Sequence, residues 1–473
     1  MHLSSRVPAV WYRARLVVAD ADPASSLDLN GVTLPGAPTL VAGSNGRIAW
    51  GFTNSYGDWQ DVVRRPCNAS GAGIRVARGE EGHCWFVRWV AQSPEASNLR
   101  MLQLERASSV DEALGLAPRI GIPHNNLIVG DRDGHIGWTL IGRIPRGVRD
   151  ARAAARSGWL DANEQPRIVD PPVGRLWTAN ALPAADAAQE HVLGDDEAAV
   201  GVGYDLGARA SQIRDGLLAI ERGATPADML RIQLDDRAVF IARWRTLVLD
   251  LLDDEAVASR AERAGYRKLV ADWTPRASAD SVGYRLVRAY HAHVERGVWA
   301  MLLAGLDIPF ENARIPARFE APLWRLVTEQ PSHLLAPRYS SWREFLLAQL
   351  DATIAELTEH CGALANCTWG AARPVRVRHP LSQAVPFLSR FIDMPTVELP
   401  GDADMPRVQS GSFGASERFA VSPGHEADGY LHIAGGQSGH PLSAFYRAGF
   451  REWAEGKPLP FLPGSAQHRL VLR

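Results

Sequence analysis

Residues 34–61 read LPGAPTLVAGSNGRIAWGFTNSYGDWQD, and this stretch decides how the rest of the chain is taken. Gly43-Ser44-Asn45-Gly46 is tight-turn chemistry, and Arg47 to Thr53 follows as a strand. Beyond the strand, Asp58 and Asp61 stand with two residues between them. Paired loop carboxylates with a backbone carbonyl between them bind Ca²⁺ in many proteins, although on spacing alone a solvated acidic loop is the commoner outcome. Two further clusters stand out. Trp177-Thr178-Ala179-Asn180 places an amide side chain after an apolar strand, and Gly435-Gly436-Gln437-Ser438-Gly439-His440-Pro441 reads as a structural turn. Ser438 lacks the strand–turn–helix setting of a nucleophile elbow.

Working outward, Val10-Trp11-Tyr12 and Cys84-Trp85-Phe86-Val87 are further strand signals between turn residues. Ser109 with Glu112 predicts a capped helix start. Asn126 to Val129 and Ile136 to Thr139, joined by Asp131-Arg132-Asp133-Gly134, predict a hairpin. Residues 1–206 therefore read as strand-rich, with a loop excursion from about 150. Residues 207–360 turn helical: Ile213, Leu217 and Ile220 share a face. Thr225-Pro226-Ala227-Asp228 is a helix start, and Ser341 with Glu344 opens a helix with Leu346, Leu350, Ile354 and Leu357 on one side. In 361–473 strands are expected at Val375–Val377, Arg418–Val421, Tyr430–Ile433 and Leu470–Leu472, with a helix over 443–455. Strand-forming ends around a helical middle indicate a layered α+β fold rather than a doubly wound sheet.

Composition narrows the function. Of 473 residues, 46% are hydrophobic and 22% charged, which is globular rather than disordered. Lys plus Arg total 51 against 53 for Asp plus Glu, so the basic excess of a nucleic-acid binder is missing. No apolar run is long enough for a membrane span. Met1 to Arg6 lacks the basic region and apolar core of a signal peptide, so the sequence as given reads as soluble and untargeted. Cys67, Cys84, Cys361 and Cys367 fit no zinc spacing. Cys67 and Cys84 flank a Gly-rich loop and stand as either a disulfide or free thiols. HExxH, P-loop, GxGxxG and GxSxG motifs are missing, which removes the enzyme classes that carry them.

At these residues the chain resembles the penicillin acylase family of N-terminal-nucleophile amidohydrolases, which includes acyl-homoserine-lactone and cephalosporin acylases. The resemblance runs in order through Pro8 to Tyr12, Leu34-Pro35-Gly36, Gly43 to Thr53, Asp58 and Asp61, and Asp131 to Gly134. It continues through Gly142 to Arg146, Thr178-Ala179-Asn180, Trp369-Gly370, Gly435 to Ser443 with Tyr446, and Trp453. It implies a four-layer αββα sandwich and hydrolysis of linear amides, with beta-lactam side chains and N-acyl-homoserine lactones as candidate substrates. The implied nucleophile is a serine freed by self-cleavage, whose own α-amine is its base. By the same resemblance, the Asn54 backbone and the Asn180 side chain match the oxyanion donors, and Arg209 matches an arginine that orients the asparagine region. His2 falls near the nucleophile's amine. Leu3, Ala42 and Phe52 match an apolar acyl pocket. Calcium, as a structural ion, matches Asp58, Asp61 and the carbonyls of Gln60 and Pro145, with Asp186, Asp195, Asp196 and Asp205 as candidates for one more ligand. No organic cofactor is implied. Read from its own surroundings alone, Arg209 is an ion-pair partner at a helix start.

The departure from the family lies at the start. Relatives carry the serine upstream of the position matched by His2, together with an α chain, a spacer and the first core strand. Ser4 and Ser5 lie past His2 and are not N-terminal. The expected protein is thus a truncated acylase, inactive as written. The alternatives are a catalytically dead acyl-ligand binding or interaction protein, or the β part of a split enzyme completed by a separate α chain. A sheet lacking its first strand is expected to be unstable or aggregation-prone alone. Relatives are typically periplasmic or secreted, and the compartment of this chain stays open.

Overall fold

In the computed structural model, residues 2–19, 26–57, 59–71, 73–145, 159–181, 204–304, 306, 314–316 and 318–472 are described. The Gly43–Gly46 turn is the pivot of the largest sheet. The Asn45 carboxamide oxygen accepts from the N–H groups of Arg47 (2.9 Å) and Ile48 (2.8 Å), and Gly46 takes φ +79°. This side-chain-closed turn joins β4 (Ala42–Ser44) to β5 (Ile48–Asn54), with Gly43 opposite Trp50. β4 also pairs with β3 (Leu27–Thr33), where Gly31 faces Gly43. A Cβ on Gly31 would lie 2.1 Å from the Ala42 carbonyl oxygen, so this close strand approach needs glycine.

β3 pairs with β2 (Tyr12–Val18). On the other side β5 pairs with β9 (Asn125–Asp131), and β9 with β10 (Ile136–Ile141), the predicted hairpin closed at Gly134 (φ +96°). β11 (Arg167–Val169) completes a seven-stranded antiparallel sheet of order β11-β10-β9-β5-β4-β3-β2. Asp131 fixes the hairpin. Its Oδ1 accepts from the N–H groups of Asp133 and His135, and its Oδ2 from the N–H of Val110 (3.1 Å), which seats the Val110–Leu116 helix on the sheet. That helix is capped by Ser109, as expected.

Period-two alternation divides the sheet's faces. Ile48, Trp50, Phe52, Leu127 and Val129 bury against Val110 and Leu114 of the helix. Trp11, Val32 and Ala42 lie on the opposite face and pack on Leu431, Ile433 and Phe461. The strands there are short: β12 (Phe413–Ala415) pairs with β1 (His2–Ser4), and β13 (Glu417–Ala420) with β14 (Tyr430–Ile433). Beyond them the Phe450–Glu455 helix buries Phe450 and Trp453. Helix, sheet, strand pairs and helix are therefore stacked in an α+β layering.

A separate sheet, ordered β6 (Gln60–Pro66), β8 (His83–Trp89), β7 (Ile74–Arg78), carries the Cys67–Cys84 disulfide. Cys361 pairs with Cys367, a bond the sequence did not suggest. The helical middle is built on Val282–Leu303 and Trp342–Cys361. Thr225 and Ser341 cap their helices as expected, and Leu346, Leu350, Ile354 and Leu357 are buried. Among the described residues no helix is long and apolar enough to cross a membrane.

Three expected elements differ. Val375 makes one isolated bridge, to Val397, instead of a strand. The helix expected over 443–455 begins only at Phe450, because Gly449 sits at φ +78° and interrupts right-handed backbone before it. Leu470 to Leu472 pair with nothing in the sheets and are largely exposed.

Candidate functional site

The site gathers where β5 outruns β4. β4 begins only at Ala42, level with the middle of β5, whereas β5 continues to Asn54. In the β5–β9 ladder the Ser55 N–H donates to the His124 carbonyl (3.4 Å), so alternation turns the N–H and C=O of Asn54 to the other edge, past the end of β4. The segment bearing Asn180 comes to that edge. Its Nδ2 donates to the Asn54 carbonyl oxygen at 2.7 Å, and Thr178 and Thr53 share a hydroxyl hydrogen bond of 2.6 Å beside it.

Asn180 is held on every side. Arg209 donates to its Oδ1 at 3.0 Å, and its own carbonyl accepts from the Asp205 N–H at 2.8 Å. The residue sits at φ +62°, a conformation that Asn tolerates better than most residues but that still strains the chain. Arg209 in turn pairs with Asp205 at 3.1 Å. It projects from the first turn of the Ala208–Leu218 helix, whose Ala210, Ile213 and Leu217 pack with Trp177, Ala179 and Ala181 of the Asn180 segment. The result is a rigid unit. With Oδ1 and one Nδ2 hydrogen engaged, Asn180 keeps one Nδ2 hydrogen in reserve next to the Asn54 backbone, whose N–H faces the edge beyond β4.

His2 belongs to the same neighbourhood. Burial drives its pKa well below the usual histidine value, and the nearby charges of Arg209 and Arg418 push the same way, so the imidazole is neutral near pH 7. The structure thus brings Asn54, Asn180, Arg209 and His2 together. The three acyl-pocket positions are not brought together. Ala42 and Phe52 lie on opposite faces of the seven-stranded sheet, in different cores, so they cannot line one pocket. Leu3 is 39% exposed on β1.

The calcium positions stand as follows. Asp58, Asp186, Asp195 and Asp196 lie outside the described residues, as does the side chain of Asp61. Gln60 opens β6, and Pro145 bridges to Trp159. Asp205 is engaged with Arg209. Among the described residues no group of three acidic, His or Cys side chains is arranged for a metal. Sequence reasoning missed the Thr53–Thr178 bond and the role of Asp205 beside Arg209. The four-residue spacing of Asp205 and Arg209 was a usable signal for the latter.

Comparison with known proteins extends these findings. The family described as Penicillin amidase matches residues 1–82 and 69–469. A penicillin acylase 2 proenzyme of a Pseudomonas species is 22% identical over 92% of this chain and 61% of its own length. An acyl-homoserine lactone acylase of Pseudomonas aeruginosa is 22% identical over 98% of this chain and 64% of its own. The chain thus spans about three fifths of the length of these curated relatives. Among solved structures, a thermostable penicillin G acylase from Alcaligenes faecalis superposes with a TM-score of 0.64 and 16% identity, covering 100% of this chain and 96% of that one, which establishes the shared fold.

Proposed function

Because this chain belongs to the penicillin amidase family, we propose that it carries the oxyanion-stabilising part of an acylase that cleaves a linear amide between an apolar acyl group and an amine. The observation that carries the reading is the clamped Asn180 carboxamide, 2.7 Å from the Asn54 carbonyl and 3.0 Å from Arg209. As a nucleophile attacks the amide carbonyl, charge develops on its oxygen. In this reading the Asn54 N–H and the second Asn180 Nδ2 hydrogen are the donors that receive it. Arg209 holds the carboxamide so that it presents nitrogen and not oxygen to that edge.

The nucleophile is assigned to polypeptide beyond these residues, a serine whose α-amine serves as its base. Within the described site, Thr53 and Thr178 spend their hydroxyls on each other. Among the described residues no base is hydrogen-bonded to the Ser4 or Ser5 hydroxyl. Penicillin side-chain amides and N-acyl-homoserine lactones, the substrates named by the relatives, are the substrate classes to assay first. Calcium is proposed as a structural ion between Asp58, Asp61 and the carbonyls of Gln60 and Pro145.

The test measures amine release from both substrate classes, with the chain alone and with polypeptide that supplies an N-terminal serine. Hydrolysis is expected in the second case only. Asn180→Ala should then lower kcat about 10²–10³-fold with the fold intact. Acyl-ligand binding without turnover in both cases would replace this reading with that of a binding protein. Turnover indifferent to Asn180→Ala would remove the site assignment.

A further inference from the structure

Away from Asn180, residues 376–396 and 447 enclose an open cavity of about 680 Å³ whose charge is one-sided. Arg376, Arg378, Arg390 and Arg447 line it, and among the described lining residues the one carboxylate is Asp393. Arg376 and Arg378 come from one face of an extended segment whose alternate residues, Val375 and Val377, are buried. Among the described residues neither they nor Arg390 forms an ion pair, although the protein pairs arginines and carboxylates freely elsewhere. Arg447 spends a donor on the Asp393 carbonyl (3.1 Å), and the Asp393 carboxylate accepts the His379 N–H (2.8 Å). Four guanidinium groups around one carboxylate create a cationic field, which a concave surface concentrates.

The same stretch is inverted in polarity. Ser382 is buried, yet Leu381 is 58%, Phe387 63% and Phe391 53% exposed, with Val385 also exposed. The Arg390 guanidinium lies over the rings of Phe391 (4.6 Å) and Phe387 (5.9 Å), so charge and apolar surface form one patch. Exposed apolar clusters of this kind mark association surfaces, and aromatic and arginine side chains are the types enriched there. Small anions make no use of exposed phenylalanines. A polypeptide offering carboxylates and apolar side chains together uses both halves of the patch. We infer that this groove docks an acidic amphipathic polypeptide segment from a partner, its carboxylates on Arg376, Arg378 and Arg390 and its apolar side chains on Phe387 and Phe391. The inference does not rest on the acylase reading. The groove borders the segment that follows β1, since Arg378 bridges to Arg6 and its carbonyl accepts the Val7 N–H (3.1 Å).

The full chain, immobilised, is the bait for a displayed random peptide library, with inorganic phosphate titrated separately by calorimetry. Peptides enriched in Asp or Glu together with Leu, Phe or Trp are expected. Their affinity should fall about tenfold or more in Arg378→Glu/Arg390→Glu and in Phe387→Glu. These side chains are exposed, so near-ultraviolet circular dichroism and the unfolding midpoint should stay as in the parent; Leu381→Glu is the reserve variant should either change. Three outcomes overturn the proposal: no enrichment of acidic-apolar peptides, enriched peptides indifferent to all three variants, or phosphate binding tightly where no peptide does.

Discussion

The helical middle and the β13–β14 strand pair both draw an arginine inward, Arg288 with its side chain 25% exposed and Arg418 3% exposed, but they treat them differently. In the middle, Arg288 donates to Asp402 (3.0 Å) and His291 (3.0 Å) and pairs with Asp404 (3.3 Å). Asp402, with no exposed side chain, also accepts from the Tyr284 hydroxyl (2.7 Å) and Arg373 (3.1 Å). His291 continues to Glu320 (2.7 Å), which holds the Trp244 indole N–H (2.9 Å) and Arg243. Burial works against the charge on Arg288, but Asp402 and Asp404 outweigh it and raise its pKa above the ordinary arginine value. In the strand pair, Arg418 is buried, and its Nε and one terminal nitrogen lack a hydrogen-bond partner among the described residues. Its other terminal nitrogen reaches the Trp453 carbonyl (3.0 Å). Burial, with Arg407 alongside, pushes its pKa down to about 9. Around Arg288 the charges are matched by carboxylates, although Arg243 Nε and the Tyr290 hydroxyl of the same region lack hydrogen-bond partners among the described residues; in the strand pair the unpartnered donors sit on the buried cation itself. Buried donors without partners cost about 1–3 kcal/mol each, so the second arrangement is the less stable way to hold an arginine.

Substituting one arginine from each region tests this contrast most sharply. Arg288→Met strips Asp402 and Asp404 of their main counter-charge and should cost about 3–5 kcal/mol in urea unfolding of the chain. Arg418→Met replaces an under-partnered buried cation by an apolar side chain of similar length, and should be neutral or stabilising by about 1–2 kcal/mol. If both variants lose comparable stability, the distinction between the regions fails.

How much of this was legible differs with range. Caps at Ser109, Thr225 and Ser341 depend on residues three apart, and the hairpin on Asp131 to Gly134, so local chemistry sufficed. The site was reachable only through the ordered family resemblance. Asn180 alone read as an amide after a strand. Its meaning comes from contacts to Asn54 and Arg209, which lie 126 and 29 residues away in sequence. Ala42 and Phe52 show the same barrier. Which face each occupies depends on the register of β4 on β5, and a slip of one residue would put both on the same face. The Arg418 environment was equally hidden, since a strand pattern does not say which face is covered by polar neighbours.

A pH titration separates the two regions next. His432, with no exposed side chain, donates Nε2–H to the Lys457 carbonyl, and its Nδ1 has no partner among the described residues. Burial lowers its pKa to about 4. The unfolded chain, with an ordinary histidine near 6.5, therefore binds the proton first as pH falls. Stability from neutral His432 is complete above about pH 6.5 and drains away as pH drops toward 4, by of order 3 kcal/mol at most. His432→Gln should flatten that part of the curve. An unchanged acid limb would place the pH sensitivity elsewhere.

The smallest effects belong to the caps, and there the two regions should not differ. The Ser109 hydroxyl accepts from the Glu112 N–H (3.3 Å) and starts the helix on the main sheet. The Ser341 hydroxyl accepts from the Glu344 N–H (3.1 Å) and starts a helix of the middle region. In each, the glutamate carboxylate reaches back to the N–H of the preceding serine, Ser108 (2.8 Å) or Ser340 (2.7 Å). Both caps are exposed and locally complete, so each serine-to-alanine change should cost about 1 kcal/mol in unfolding free energy. A sheet-layer cap costing much more than its helical counterpart would mean that the Val110–Leu116 helix is held mainly by its first turn and that the sheet beneath it grips weakly. Equal costs would confine the difference between the regions to their buried polar groups, where the arginine substitutions read it.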